Sequence, residues 1–349
     1  MSIELKKINY MNRQHFTGFY PSRPYWAGSS INLDDPALIY ELPALMSEEI
    51  LSFSEGSCKI KVYRDGMILL RIADLEILEE ERSQEHGNNL VTRWGQYLDY
   101  LNCLYLIIDS TTCQLQNLSF FNFSEITWRD AFRITFEDEK MTGYGIAIES
   151  ITSVFQMARD KISYPPGIPL KFDSRLSSRR VIKMDVFKES VSLFNKIYSN
   201  RNTIKLLSNV AKSLSEYKIG NYDTSLILSW FAIESVLTQK WKNYLDSADT
   251  TYPSGKKRIN SNRIQYFTGR DFTISHINNL LELTGTINFE LFDDIDKIRS
   301  YRNKIVHQEP DFETKPEHCQ LAINKALELV LEKFDFHIKP NLSYSVAGL

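Results

Sequence analysis

Cysteine is scarce in this chain. Cys58, Cys103, Cys113 and Cys319 are four among 349 residues, and no two of them form a CxxC pair. Such scattered cysteines argue against a disulfide framework or a zinc site and read as reduced thiols of an intracellular protein. No His/Cys spacing or carboxylate cluster suited to a metal is evident, so the expectation is no metal and no cofactor. The N-terminal half lacks a P-loop, a GxGxxG and a GxSxG, which removes the common nucleotide-binding and hydrolase signatures. Long apolar runs are missing too. The most apolar stretch, LNCLYLIID at 101–109, is too short to span a bilayer. The opening MSIELKKINYMNRQHF has no apolar core of the kind a signal peptide needs. No membrane association and a cytoplasmic location are therefore expected. Strong positive charge is also lacking: the net charge of -3 excludes a generally basic nucleic-acid coat but leaves room for a local basic patch.

Proline and glycine are few, and where they cluster they divide the chain. Pro165, Pro166, Gly167 and Pro169 interrupt any regular element. This suggests an α+β domain over 1–162, a linker at 163–184, an all-α helical bundle over 185–338 and a tail at 339–349. In the first part LIYELPAL (38–45), ITWRDAFRITFED (126–138) and YGIAIESI (144–151) read as strands. KIKVYRDGMILLRIADLEIL (59–78) reads as a hairpin turning at Asp65-Gly66. A helix is predicted over about 89–109, with Leu90, Trp94, Tyr97, Leu98 and Leu101 on one face.

After residue 185 the spacing is helical throughout. Segments 186–199 and 202–219 precede Gly220, and a long helix is predicted from Tyr222 to about Leu245. Its apolar stripe is read as Ile227, Trp230, Phe231, Leu237 and Trp241, with Glu234 embedded in it. A polar loop at 246–263 carries Lys256, Lys257, Arg258 and Arg263, a candidate phosphate-binding group. Arg175, Arg179 and Arg180 form a second basic group in the linker. Helices are then predicted over 274–283, 289–308 and 316–336. Trp230 and Trp241 read as core.

The helix 289–308 holds the residues that invite chemistry. Arg302 follows Ile298 by four and precedes Ile305 by three, which puts a guanidinium on an apolar stripe, where it needs a partner or a cleft. Asn303 and His307 are four apart and share a face. His307 sits in the last turn before Pro310, where the carbonyl end of a helix favours an imidazolium. Periodicity nominates Glu234 as the counterion of Arg302 or His307 across the two helices. A looser pair, Arg270 and His276, straddles a loop.

The segment IRSYRNKIVHQEP (298–310) resembles the signature of HEPN domains, in which an Arg and a His are separated by four to six residues, often with a polar residue after the Arg. YDTSLILSWFAIESVL (222–237) is similar to the second helix of that family, and the nearest flavour is the Apea-like group. The resemblance spans about 185–338. It implies a metal-independent endoribonuclease acting as a homodimer through the helical domain. His307 would move protons to or from the 2′- and 5′-oxygens of RNA, and Arg302 would stabilise the phosphorane-like charge. Asn303 would orient the phosphate or the imidazole, and Glu234 would be a catalytic residue or a structural counterion. Arg302 and His307 lie about 140° apart around a straight helix, which favours a composite site at a two-fold axis. The implied role is an antiviral toxin of the abortive-infection kind, cutting tRNA or another RNA and restrained by the α+β domain until a phage-derived or host trigger arrives. The alternative is a non-catalytic HEPN adaptor that dimerises and binds a protein or nucleotide.

Overall fold

The computed structural model describes residues 13–21, 25–75, 87–117, 123–145, 155, 156, 159, 169–269 and 272–343. The chain divides into two compact units, one of residues 1–208 with 338–349, the other of residues 209–337.

The first unit is built on a six-stranded sheet in which every neighbouring pair is antiparallel. Its strands, in sheet order, are β3 (Glu49–Glu55), β4 (Cys58–Tyr63), β5 (Ile68–Ile72), β1 (Arg13–Phe19), β6 (Phe132–Glu137) and β7 (Lys140–Tyr144). A separate parallel pair joins β2 (Tyr25–Ala27) to β8 (Arg180–Ile182). The β4–β5 hairpin is the one expected. Gly66 has φ +91°, a conformation glycine adopts without steric cost, and Asp65 accepts the Met67 N–H at 3.2 Å to set the turn. Strand β6 begins later than expected because the Asp130 carboxylate accepts the Thr127 N–H and hydroxyl, folding 127–130 into a turn. Of the expected strand at 144–151, residues 146–151 lie outside the described residues.

Segment 38–45 is a helix, not a strand: α1 spans Leu38–Met46. Leu38, Leu42 and Met46 recur every four residues and are all buried, a helical spacing that outweighs the apparent alternation. Helix α2 (Gly87–Gln116) is longer than expected, and its centre from Leu101 to Ile108 is almost wholly buried. Four-residue α3 (Ser174–Ser177) precedes α4 (Met184–Ile197).

The expected linker at 163–184 and the start of the expected helical domain both fall within the first unit. The boundary instead divides α5 (Arg201–Lys218) after Ser208. The cause is α4: its apolar face, with Val186, Phe187, Phe194 and Ile197 fully buried, packs on α2 and β3. Packing on α2 and the edge strand β3 places this helix in the first unit.

The second unit is the helical bundle. It contains the end of α5, then α6 (Tyr222–Ala248), α7 (Ser261–Thr268), α8 (Ile274–Leu283), α9 (Phe289–Val306) and α10 (Pro316–Leu331). Helix α6 is central and packs on α8, α9 and α10. Its neighbour α5 comes close because the facing residues are small: the Ser213 hydroxyl donates to the Ser225 carbonyl at 2.7 Å and meets the Ser229 hydroxyl at 2.7 Å. Lys325 of α10 pairs with Asp294 of α9 at 3.2 Å. Among the described residues no helix is long and apolar enough to cross a membrane.

Candidate active site

Helix α9 starts cleanly. Asn288 is its N-cap, with the side-chain oxygen accepting the Leu291 N–H at 2.8 Å. Leu291, Ile295 and Ile298 are buried and carry its core-facing stripe. The stripe reaches Arg302, which is half-buried as its position demands. Its Nη1 donates to Asn303 Oδ1 at 3.1 Å, while its Nε is buried with no hydrogen-bond partner among the described residues.

The helix ends at Val306, so His307 is its C-cap, with φ -85° and ψ 1°. Gln308 follows at φ +51°. The Gln308 N–H donates to the Ile305 carbonyl at 3.1 Å and the Glu309 N–H to the Lys304 carbonyl at 3.0 Å. These two bonds form a Schellman motif, with glutamine in the left-handed position that glycine usually fills. The motif fixes the backbone of His307 while its side chain stays exposed, with no hydrogen-bond or ion-pair partner among the described residues. Arg302 and Asn303 are thus joined, and His307 stands one turn beyond them at the helix end.

Glu234 does not complete this group as expected. No ion pair within 4.0 Å joins it to Arg302 or His307 among the described residues. The reason is the rotation of α6. Its buried stripe is Leu226, Trp230, Ile233, Leu237 and Trp241, whereas Phe231 is 49% exposed. Glu234 lies about 60° round the axis from the centre line of that stripe, half-buried on its flank. Trp230 and Trp241 are core residues, as expected.

Lys256, Lys257, Arg258 and Arg263 are all exposed. Lys257 pairs with Asp249 at 3.2 Å, while the other three pair with no carboxylate among the described residues. The linker arginines form no such group. Arg175 is held by Asp173 at 2.6 Å, and Arg179 is buried over the Trp26 ring while donating to the Asp65 carbonyl at 3.3 Å. Of the looser motif, Arg270 lies outside the described residues, and His276 accepts the Thr273 N–H as part of the start of α8.

Sequence spacing gave no reason to single out His318, yet it lies in an aromatic stack beside the motif. Its ring stacks on Tyr301 with centroids 4.0 Å apart, and Phe312 stacks on both. Lys304 Nζ lies over the Phe312 ring. His318 Nδ1 accepts the Lys315 N–H at 3.1 Å, which puts the ring proton of the neutral form on Nε2. Burial, more than the nearby Lys315 and Lys304 charges, holds its pKa below the ordinary histidine value. An aromatic at i and a histidine seventeen residues on, in different helices, leave no periodic trace.

Compared with models of protein families, with curated proteins and with solved structures, the chain matches none.

Proposed function

We propose that the helical unit is a metal-independent endoribonuclease of the HEPN type, with Arg302, Asn303 and His307 as its reacting group. The observation that carries this reading is the state of Arg302. Among the described residues this half-buried guanidinium has no carboxylate partner, and its buried Nε has no hydrogen-bond acceptor. Leaving such a donor unmet costs about 1–3 kcal/mol, a cost that a ligand's phosphate oxygens would remove. A structural role for Arg302 and Glu234, locking two helices together, calls for an ion pair, and none joins them among the described residues.

The chemistry follows from the residue types. His307 takes the proton of a ribose 2′-hydroxyl, whose oxygen forms a bond to the adjacent phosphorus. Arg302 binds the non-bridging oxygens as charge builds on them, and Asn303 steers the guanidinium through its 3.1 Å hydrogen bond. The bond from phosphorus to the 5′-oxygen breaks, and a second His307, from another copy, protonates the leaving oxygen. The products are a 2′,3′-cyclic phosphate and a 5′-hydroxyl. The two-copy cleft is supported by large apolar side chains left half-exposed, Phe231 on α6 and Val306 beside His307. Glu234 lies on the same flank of α6 as Phe231 and belongs to that interface in this reading.

The setting we infer is abortive infection, in which the α+β unit restrains the ribonuclease until a phage-derived or host trigger releases it. The test uses purified wild type, Arg302→Ala and His307→Ala on total RNA or tRNA in EDTA. Cleavage by wild type alone is expected, and equal activity in all three would end the proposal. Intact RNA with every variant, including during phage challenge, would favour the adaptor reading instead.

A further inference from the structure

Between α6 and α7, where the sequence reads as a polar loop with candidate phosphate-binding cations, the chain forms a hydrogen-bonded finger. The Arg258 N–H donates to the Thr250 carbonyl at 2.7 Å and the Tyr252 N–H to the Lys256 carbonyl at 2.9 Å. Thr251 and Lys257 face each other as an antiparallel bridge. Gly255, at φ +78°, closes the tip by donating its N–H to the Tyr252 carbonyl at 2.8 Å. Asp249 anchors the base by accepting the Ile259 N–H at 3.1 Å, and Ile259 is buried. Arg263, in the first turn of α7, donates to the Arg258 carbonyl at 3.0 Å and so ties the helix to the finger. Helix α7 is held from below, where Trp241 Nε1 donates to the Phe267 carbonyl at 2.9 Å.

This lobe displays an unusual set of side chains. Residues 250–268 contain Lys256, Lys257, Arg258 and Arg263 and not one Asp or Glu, in a chain whose net charge is -3. Flanking these cations in sequence are two exposed aromatic rings, Tyr252 at 49% and Tyr266 at 73%. The finger's pairing sets Tyr252 directly across from Lys256. Cations alone would draw any polyanion. Exposed rings at either end of a run of cations suit a strand whose bases have free faces, since each ring takes a base and the cations take phosphates between them. A duplex keeps those faces stacked inside.

We propose that the finger and α7 form a platform for an unpaired RNA strand. Tyr252 and Tyr266 stack on bases, while Lys256, Arg258 and Arg263 hold phosphates. The ribonuclease is thereby directed to loops and single-stranded tails. The choice of RNA over DNA rests on the proposed 2′-hydroxyl chemistry.

The test uses the full chain carrying His307→Ala, so that the probe survives. Fluorescence anisotropy measures its affinity for a short unpaired RNA of mixed sequence and for the same sequence annealed to its complement. Unpaired RNA is expected to bind more tightly. Adding Tyr266→Ala should weaken binding about ten-fold, and Tyr266→Phe should restore it, because the ring is what stacks. With three phosphate contacts the affinity should fall about as the second power of salt concentration, and Arg263→Glu should flatten that slope. Duplex bound as tightly as the unpaired strand, or Tyr266→Ala without effect, would overturn the platform. The two proposals fail separately. Tyr266-dependent binding without cleavage by the wild type would refute the nuclease and leave the platform standing. Cleavage of unpaired RNA with KM unchanged by Tyr266→Ala would refute the platform and leave the nuclease.

Discussion

Replacing Arg302 by Met separates a functional arginine from a structural one. Methionine keeps an unbranched side chain of similar reach on the stripe below Ile298, so most of the methylene burial survives. The substitution removes one neutral-acceptor hydrogen bond, to Asn303, worth about 1 kcal/mol. It also removes a buried Nε that has no partner among the described residues, recovering about 1–3 kcal/mol. The two effects leave Arg302→Met between neutral and about 2 kcal/mol more stable than wild type. Were Arg302 half of a buried ion pair, breaking it would cost about 3–5 kcal/mol. Hydrogen exchange of peptides covering α9 reads the local free energy. Each 1.4 kcal/mol changes an equilibrium tenfold, so the two cases differ by at least a hundredfold in exchange rate. We expect α9 to exchange at the wild-type rate or slower while RNA cleavage is lost. Exchange faster by a hundredfold or more would refute the reasoning and make Arg302 a structural residue.

Other consequences follow from the same structure. Gln308→Gly, at a backbone φ of +51°, should stabilise the helical unit by about 0.5–1 kcal/mol, seen as a higher Tm; a lower Tm would mean that the Gln308 side chain contributes more than its backbone strain costs. In the first unit Asp65 is 1% exposed, pairs with Arg159 at 2.8 Å and accepts the Tyr20 hydroxyl at 2.8 Å. Asp65→Ala leaves the Arg159 charge buried and should cost about 3–5 kcal/mol, measured by proteolysis of that unit; a loss under about 1 kcal/mol would show that the network does not hold the sheet. The folded-state pKa of His318 lies below its unfolded value of 6.5, so the unfolded chain takes up this proton first as pH falls. Stability of the helical unit should therefore decline as pH drops below 6.5, and His318→Asn should flatten that decline; identical pH profiles would contradict it.

The sequence revealed most where local chemistry and burial agree. Helix α8 spans Ile274–Leu283 as its spacing predicts, and Asp65-Gly66 turns the hairpin because no competing pattern exists there. It misled where two patterns coexist. In LIYELPAL both alternation and i, i+4 spacing are present, and only burial of Leu38, Leu42 and Met46 decides for the helix. On α6 two neighbouring rows are apolar, Ile227 with Phe231 and Leu226 with Trp230 and Ile233, so periodicity alone could not choose which faces the core. That ambiguity misplaced Glu234. The position of Arg302 was legible because Leu291, Ile295 and Ile298 define one row with no rival. The His318 stack joins residues of different elements, and the finger is held by backbone hydrogen bonds within a loop, neither of which apolar spacing records.

The most direct test of the central claim is the chemistry of the cut ends. RNA exposed to the wild-type chain in EDTA, then analysed by mass spectrometry with His307→Ala as control, should carry 2′,3′-cyclic phosphates and 5′-hydroxyls that the control lacks. Ends bearing 5′-phosphates, or the same ends from His307→Ala, would contradict the account.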